Sequence, residues 1–160
     1  MEHRQVIELC KSGNLQELQH IIEQQNIYMS DFANLFSMAC EYGHLEVAQW
    51  LLQIKPDINI SVYDDEAFRC ACENGHLQVA QWLYQIKPDI DISAQDEYAF
   101  RRNCYNGRLE FVQWLYQIKP DINISAHDEN AFRCACENGH LELAQWLYQI
   151  KPDIDISAHN

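Results

Sequence analysis

Basic residues are scarce in this sequence: 11 Lys and Arg stand against 24 Asp and Glu, for a formal charge of −13. Such a surface repels phosphate backbones instead of releasing counterions from them, which excludes nucleic acid as a natural partner. Long apolar runs are missing too. No segment approaches the roughly 18 apolar residues of a membrane span, and the opening stretch MEHRQVIELCKSG has no apolar core of signal-peptide length. These absences predict a soluble, cytoplasmic protein without membrane contact. No glycine-rich phosphate loop is written, and no serine or cysteine nucleophile stands near a recognisable base, so neither an enzyme nor a cofactor is expected. Paired cysteines are also lacking in any useful sense. The seven are odd in number, and five of them (Cys10, Cys40, Cys72, Cys104 and Cys136) share one repeat position. That placement marks small buried thiols in a reducing compartment, not a disulfide framework.

What the sequence does contain is a period. Trp50, Trp82, Trp114 and Trp146 are each separated by 32 residues, and the stretch FRCACENGHL at Phe68 returns at Phe132. A recurrence of this length is the mark of a repeat array. In the last unit, Asp128 is placed to cap a helix with Glu129 in its first turn, and Phe132, Ala135 and Cys136 share one face up to Gly139. A second helix follows, with Leu141, Leu143, Ala144, Trp146, Leu147 and Ile150 as its apolar stripe and Lys151-Pro152 as its stop. The tail PDIDISAH reads as extended, with Ile154 and Ile156 on one side and Asp153, Asp155 and Ser157 on the other. No such pair buries its apolar face alone, so neighbours must stack.

These residues resemble the ankyrin repeat family. The pattern carrying the likeness runs through Asn130-Ala131-Phe132-Arg133, Cys134-Ala135-Cys136, Glu137-Asn138-Gly139-His140-Leu141-Glu142-Leu143 and Asp153-Ile154-Asp155. The resemblance implies an all-α solenoid of helix-turn-helix units with short extended connectors. It divides residues 1–160 into a single array of about five repeats at 4–35, 36–67, 68–99, 100–131 and 132–160. The near-identical copies and the KPDINIS connector look most like the ankyrin arrays of giant amoeba-infecting viruses, which implies a host-cytoplasmic setting and a host-protein target. Departures from the pattern are informative. The family's His becomes Arg69, Arg101 or Arg133, and the connector has no glycine for a hairpin tip. Irregular connectors are therefore expected in place of a projecting β-finger, with first helices beginning near Asp64, Asp96 and Asp128.

Other candidates for chemistry reduce to structure. Cys70 and Cys72, like Cys134 and Cys136, lie two apart on a helix, about 200° around it, so their thiolates diverge and no metal centre is expected. His44, His76 and His140 recur in a Gly-His-Leu turn where the ring bonds backbone groups. Asp89-Ile90-Asp91 occupies a connector, and Asn59 and Asn123 replace the second acid elsewhere, which excludes a catalytic dyad.

The fourth repeat is altered. Against the third, Arg102 replaces Cys70, Asn103 replaces Ala71, Tyr105 replaces Glu73, Arg108 replaces His76 and Phe111 replaces Val79. Arg102, Tyr105 and Asn106 fall on one stripe of the first helix, which in ankyrin arrays lines the concave groove. With Arg108 and the equivalents Tyr42, Asn74 and Asn138, they form the predicted partner-binding set, rich in the residue types of binding hot spots. The competing reading is drift, with Asn103 a cost unless hydrogen-bonded. The expected function is a noncatalytic protein-interaction module. The alternative is a structural spacer or assembly segment without a specific groove ligand. The first unit reads as a polar cap on a Val6, Leu9, Leu18 and Ile22 stripe. No polar cap closes the last unit, which leaves three accounts open: a longer array, a truncated chain, or self-association through the uncapped repeat.

Overall fold

The computed structural model describes residues 2–25, 32–60 and 62–154. Among these the secondary structure is ten α-helices and no strand. They fall into two compact units, Met1–Ile90 and Asp91–Asn160.

The first unit holds three helix pairs: α1 (Glu2–Ser12) with α2 (Leu15–Gln25), α3 (Phe32–Glu41) with α4 (Leu45–Ile54), and α5 (Val62–Asn74) with α6 (Leu77–Ile86). First helices stack on first helices, α1 on α3 and α3 on α5. The core between them is Val6, Leu18, Leu35, Phe36, Leu51 and Leu83, all essentially inaccessible. Ile21, not Ile22, completes the stripe of the first pair. The second unit holds α7 (Ala94–Tyr105) with α8 (Leu109–Ile118) and α9 (Ala126–Glu137) with α10 (Leu141–Ile150), and α7 packs on α9. Here Phe100, Phe111, Val112, Leu115, Leu143 and Leu147 are buried.

The apolar stripe of each second helix is narrower than the sequence suggests. Leu143, Ala144 and Leu147 are buried, but Leu141 is exposed and all four tryptophans are only half-buried. The rings bridge repeats from the edge of the core. Trp82 meets Phe36 with centroids 6.0 Å apart, and Trp146 meets Tyr116 edge-on at 5.6 Å.

The turn inside each pair has one cause. In the second pair, Gly43 has φ +80, the His44 amide donates to the Ala39 carbonyl at 2.8 Å, and the Gly43 amide donates to Cys40 at 3.2 Å. This is a Schellman close, and it requires the left-handed backbone that glycine adopts without strain. The histidine then reaches back to the preceding repeat. His44 Nε2 lies 2.7 Å from the Lys11 carbonyl, and its ring covers Gly13 so closely that no β-carbon fits there. His140 repeats this against Tyr105 and Gly107.

The described connectors, from Lys55 onward, are built from turns. The Ile58 amide donates to the Lys55 carbonyl at 3.2 Å across Pro56-Asp57, and the same closure recurs from Ile122 to Lys119 and from Ile154 to Lys151. A second turn closes from Ala94 to Asp91 and from Ala126 to Asn123. Lys55 bonds Asp57 at 2.9 Å and holds that carboxyl below its usual range. The alternation read in the sequence survives: Ile90, Ile92, Ile122, Ile124 and Ile154 are buried while Asp89, Asp91 and Asp121 face solvent. Ile156 lies outside the described residues. The connectors are irregular, and no hairpin forms at 57–60 or 121–129.

The expected start of a right-handed helix near Asp96 is not met: the segment Ala94–Tyr105 opens on a left-handed turn, so its right-handed helix starts only after Glu97, and the cap differs too. Gln95, Asp96 and Glu97 form a left-handed turn with φ of 56, 54 and 62, and His127 and Glu129 adopt the same sense. The N-cap positions are Ser93 and Ser125, whose hydroxyls donate to Glu97 and Glu129 four residues on, at 2.9 and 2.7 Å. Asp128, expected as the cap, has its side chain outside the described residues.

Candidate functional site

The predicted binding set divides once the side chains are placed. Asn74, Asn106 and Asn138 close their own helices: each side-chain amide donates to the carbonyl four residues back, Cys70 at 3.0 Å, Arg102 at 2.9 Å and Cys134 at 2.8 Å. Their donors are therefore used in ending a helix. Arg108 turns toward the core side. Its guanidinium donates to Asn103 Oδ1 at 3.2 Å, and Asn103, fully buried, donates in turn to the Ala99 carbonyl at 2.8 Å. Arg108 thus helps satisfy a polar side chain standing where other repeats have alanine, which removes the cost expected for Asn103.

Tyr42 and Tyr105 remain as exposed surface. Tyr105 ends α7 with 47 % of its surface accessible, and the Arg102 guanidinium lies 5.6 Å from its ring centre. In the first unit Tyr42 is 43 % accessible with Lys11 Nζ at 6.0 Å from its ring. Each unit therefore presents one aromatic face paired with a cation at the end of a first helix. The chemistry of such a pair is recognition: a flat apolar ring for contact and a charge for orientation.

The cysteines and histidines have structural duties. Burial pushes the Cys10 thiol up to about 12 and raises Cys40 and Cys104 further still, so these are inert thiols at neutral pH. Cys70 is partly exposed while Cys72 is buried, and Cys136 is exposed while Cys134 is not. Among the described residues, no group of three or more His, Cys, Asp or Glu converges as a metal site would require.

A feature the sequence reading missed lies along the connectors of the second unit. Ser93, Asp96, Glu97, Asn123, Ala126 and His127 line an open cleft of about 430 Å³. Glu97 is 6 % accessible, and its Oε1 accepts from the Ser93 hydroxyl at 2.9 Å and the Asn123 amide at 3.2 Å. Its Oε2 is buried without a hydrogen-bond donor. Asp96 stands at the rim, 3.5 Å from His127 Nε2. The left-handed turn that places these groups is secured by Arg101, which donates to the Asp96 carbonyl at 2.8 Å and the Gln95 carbonyl at 3.3 Å. The sequence signal was the serine four residues before an acid, at 93/97 and 125/129. Arg101 stands where the family pattern has His, and its bonds to this turn give it a use.

Comparison with known families matches a model of ankyrin repeats in many copies to residues 36–84 and 97–148. No curated protein matches the chain.

Proposed function

The chain belongs to the ankyrin-repeat family, and on that premise we propose that it is a noncatalytic adaptor that docks a protein partner on its first-helix faces and connector edges. Ankyrin repeats mediate protein–protein interaction. The finer assignment rests on one observation. The large exposed aromatics at the ends of first helices, Tyr42 and Tyr105, each stand beside a cation, while the neighbouring asparagines are tied into the helix ends. An exposed tyrosine with an adjacent guanidinium supplies the area and charge that concentrate binding energy. The proposal includes a cytoplasmic setting, which seven free thiols suit, and a host-protein target if the source is viral. Self-association through α10, where Leu141 and Tyr148 are exposed, belongs to it as a lesser route.

The spacer reading draws support from the same asparagines and from Arg108, all of which serve the fold. One comparison separates the two. Tyr42→Asn and Tyr105→Glu restore residues that other repeats carry at these positions, Asn74 and Glu73 among them, so the fold is expected to persist. Proteins captured by the wild type and lost by this pair, at equal helicity, support the adaptor. An unchanged set of captured proteins refutes the assignment of these faces and leaves the spacer.

A further inference from the structure

We propose that the cleft over Glu97 is a receptor for a single ammonium group, filled by a lysine side chain of the partner protein. The chemistry begins with an unfinished carboxylate. Glu97 is more than nine-tenths buried, one oxygen is fully engaged by Ser93 and Asn123, and the other is buried without a donor beside the open cleft that Glu97 lines. A buried charge normally carries a counterion or a full set of hydrogen bonds.

The first unit shows what completes this position. Asp65 stands 32 residues before Glu97 and also adopts a left-handed backbone, φ 58. There the Lys87 ammonium sits 3.3 Å from Oδ1 and 3.4 Å from Oδ2, with both side chains only 18 % accessible. Lys87 also bonds Asp89 at 3.4 Å, and the equivalent lysine of the second unit, Lys119, makes the bond matching this one, to Asp121 at 3.2 Å. The seat that an internal ammonium fills beneath Asp65 is thus left to an external one over Glu97, with the Asp96 carboxylate at the mouth to draw it in.

The donor set selects lysine over the other cations. An ammonium needs only a few acceptors and is satisfied by Glu97 Oε2 with Asp96. A guanidinium gains its advantage from two oxygens of one carboxylate, and Oε1 of Glu97 is already taken by two donors. A calcium ion requires six or more oxygens, and among the described residues the carboxylates lining the cleft are Glu97 and Asp96. This inference deepens the adaptor reading by naming the partner's chemistry, but its test does not depend on the tyrosine faces.

The test is an NMR titration of the full chain with the peptide acetyl-Ala-Lys-Ala-amide, following the backbone amides of Glu97, Asn123 and His127. The peptide is expected to shift all three saturably. The same peptide with norleucine in place of lysine, close in length but without the charge, is expected to shift none. Glu97→Gln keeps an acceptor for Ser93 and Asn123 and is expected to weaken peptide binding at least tenfold. Asp96→Asn, on the exposed rim, is expected to weaken it two- to threefold and guards against a folding defect in the first variant. Equal binding to Glu97→Gln assigns the effect to the general acidity of the surface and overturns the proposal. So does absence of saturable shifts, or saturation of the same amides by calcium chloride at a lower concentration than the peptide. If the peptide arm fails while the tyrosine pair still abolishes capture, the cleft is wrong and the adaptor stands. The opposite pattern retains the cleft and removes the tyrosine faces.

Discussion

Replacing Gly107 with alanine tests the contact that ties one repeat to the next. Gly107 has φ +69, and an added β-carbon would lie 2.6 Å from Cγ of His140 and closer to Nδ1 and Cε1. The substitution therefore carries two costs. A non-glycine residue in the left-handed region costs about 1–2 kcal/mol, of which the stiffer unfolded chain returns roughly 0.4–1. The ring must also move, losing its 3.0 Å bond to the Tyr105 carbonyl, a loss of about 1 kcal/mol before any packing is counted. The total is about 2 kcal/mol before packing losses. Gly139 supplies the comparison, since its φ is +75 but no atom lies within 4 Å of its β-carbon site. Gly139→Ala should cost only the backbone part, about 1 kcal/mol. Urea denaturation of Gly107→Ala, His140→Ala and the double variant isolates the contact. With the ring removed, Gly107→Ala should fall to the cost of Gly139→Ala. If its cost is the same with and without the ring, His140 does not rest on Gly107 in solution, and the account of coupling between repeats fails.

Three further outcomes follow from the same coordinates. Gln95→Gly should raise the urea midpoint, by about 0.5–1 kcal/mol of stability, because glycine relieves a left-handed residue that is exposed and touches nothing else of note; a lowered midpoint refutes the left-handed turn. Arg108→His should cost about 1 kcal/mol by removing a bond to buried Asn103, and adding Asn103→Ala, which restores the Ala71 and His76 pairing of the preceding repeat, should recover most of it. An additive double variant is the contrary result. For the thiols the sign is set by burial: the folded values of Cys10, Cys40 and Cys104 lie above the ordinary 9.0, so the native state keeps protons that the unfolded chain releases. Stability is intact below pH 9 and falls as pH rises through the interval toward about 12 for Cys10, at up to about 1.4 kcal/mol per pH unit for each thiol. Cys40→Ala should make that slope shallower by one thiol's share, measured from urea midpoints across the alkaline range.

The helix pairs were legible because three signals coincide in every repeat but the first, which has no Lys-Pro: the apolar face of the first helix, the glycine after it and the Lys-Pro stop after the second. The connectors were legible in their side-chain alternation but not in their path. Buried Ile90 and Ile92 announce themselves by spacing, whereas a left-handed turn through Gln95, Asp96 and Glu97 has no glycine to betray it. Its support comes from Ser93 and Arg101 on either side of it and from the Asn123 amide, which belongs to the next connector, 26 residues from Glu97. The same reason hid the cleft. A carboxylate reads as solvent-facing in a string of letters, and Glu97 is buried only because the connector of the next repeat folds over it.

The altered fourth repeat can now be divided. Asn103 and Arg108 stand where the preceding repeat has Ala71 and His76, and they bond each other, so the second side chain compensates the first in the packing. Phe111 in place of Val79 is buried and packs edge-on against Trp114 at 5.6 Å, so it fills volume. Asn106 matches Asn74 and Asn138 in ending a helix, and so it is not an alteration in function at all. What the fold does not require is Tyr105, nearly half exposed where Glu41, Glu73 and Glu137 stand in other repeats, with Arg102 laid beside its ring. An exposed aromatic with an adjacent cation, at a position that is acidic in three other repeats, gives the core nothing. On the proposed adaptor reading, the surface that distinguishes this repeat is therefore confined to two side chains, Arg102 and Tyr105.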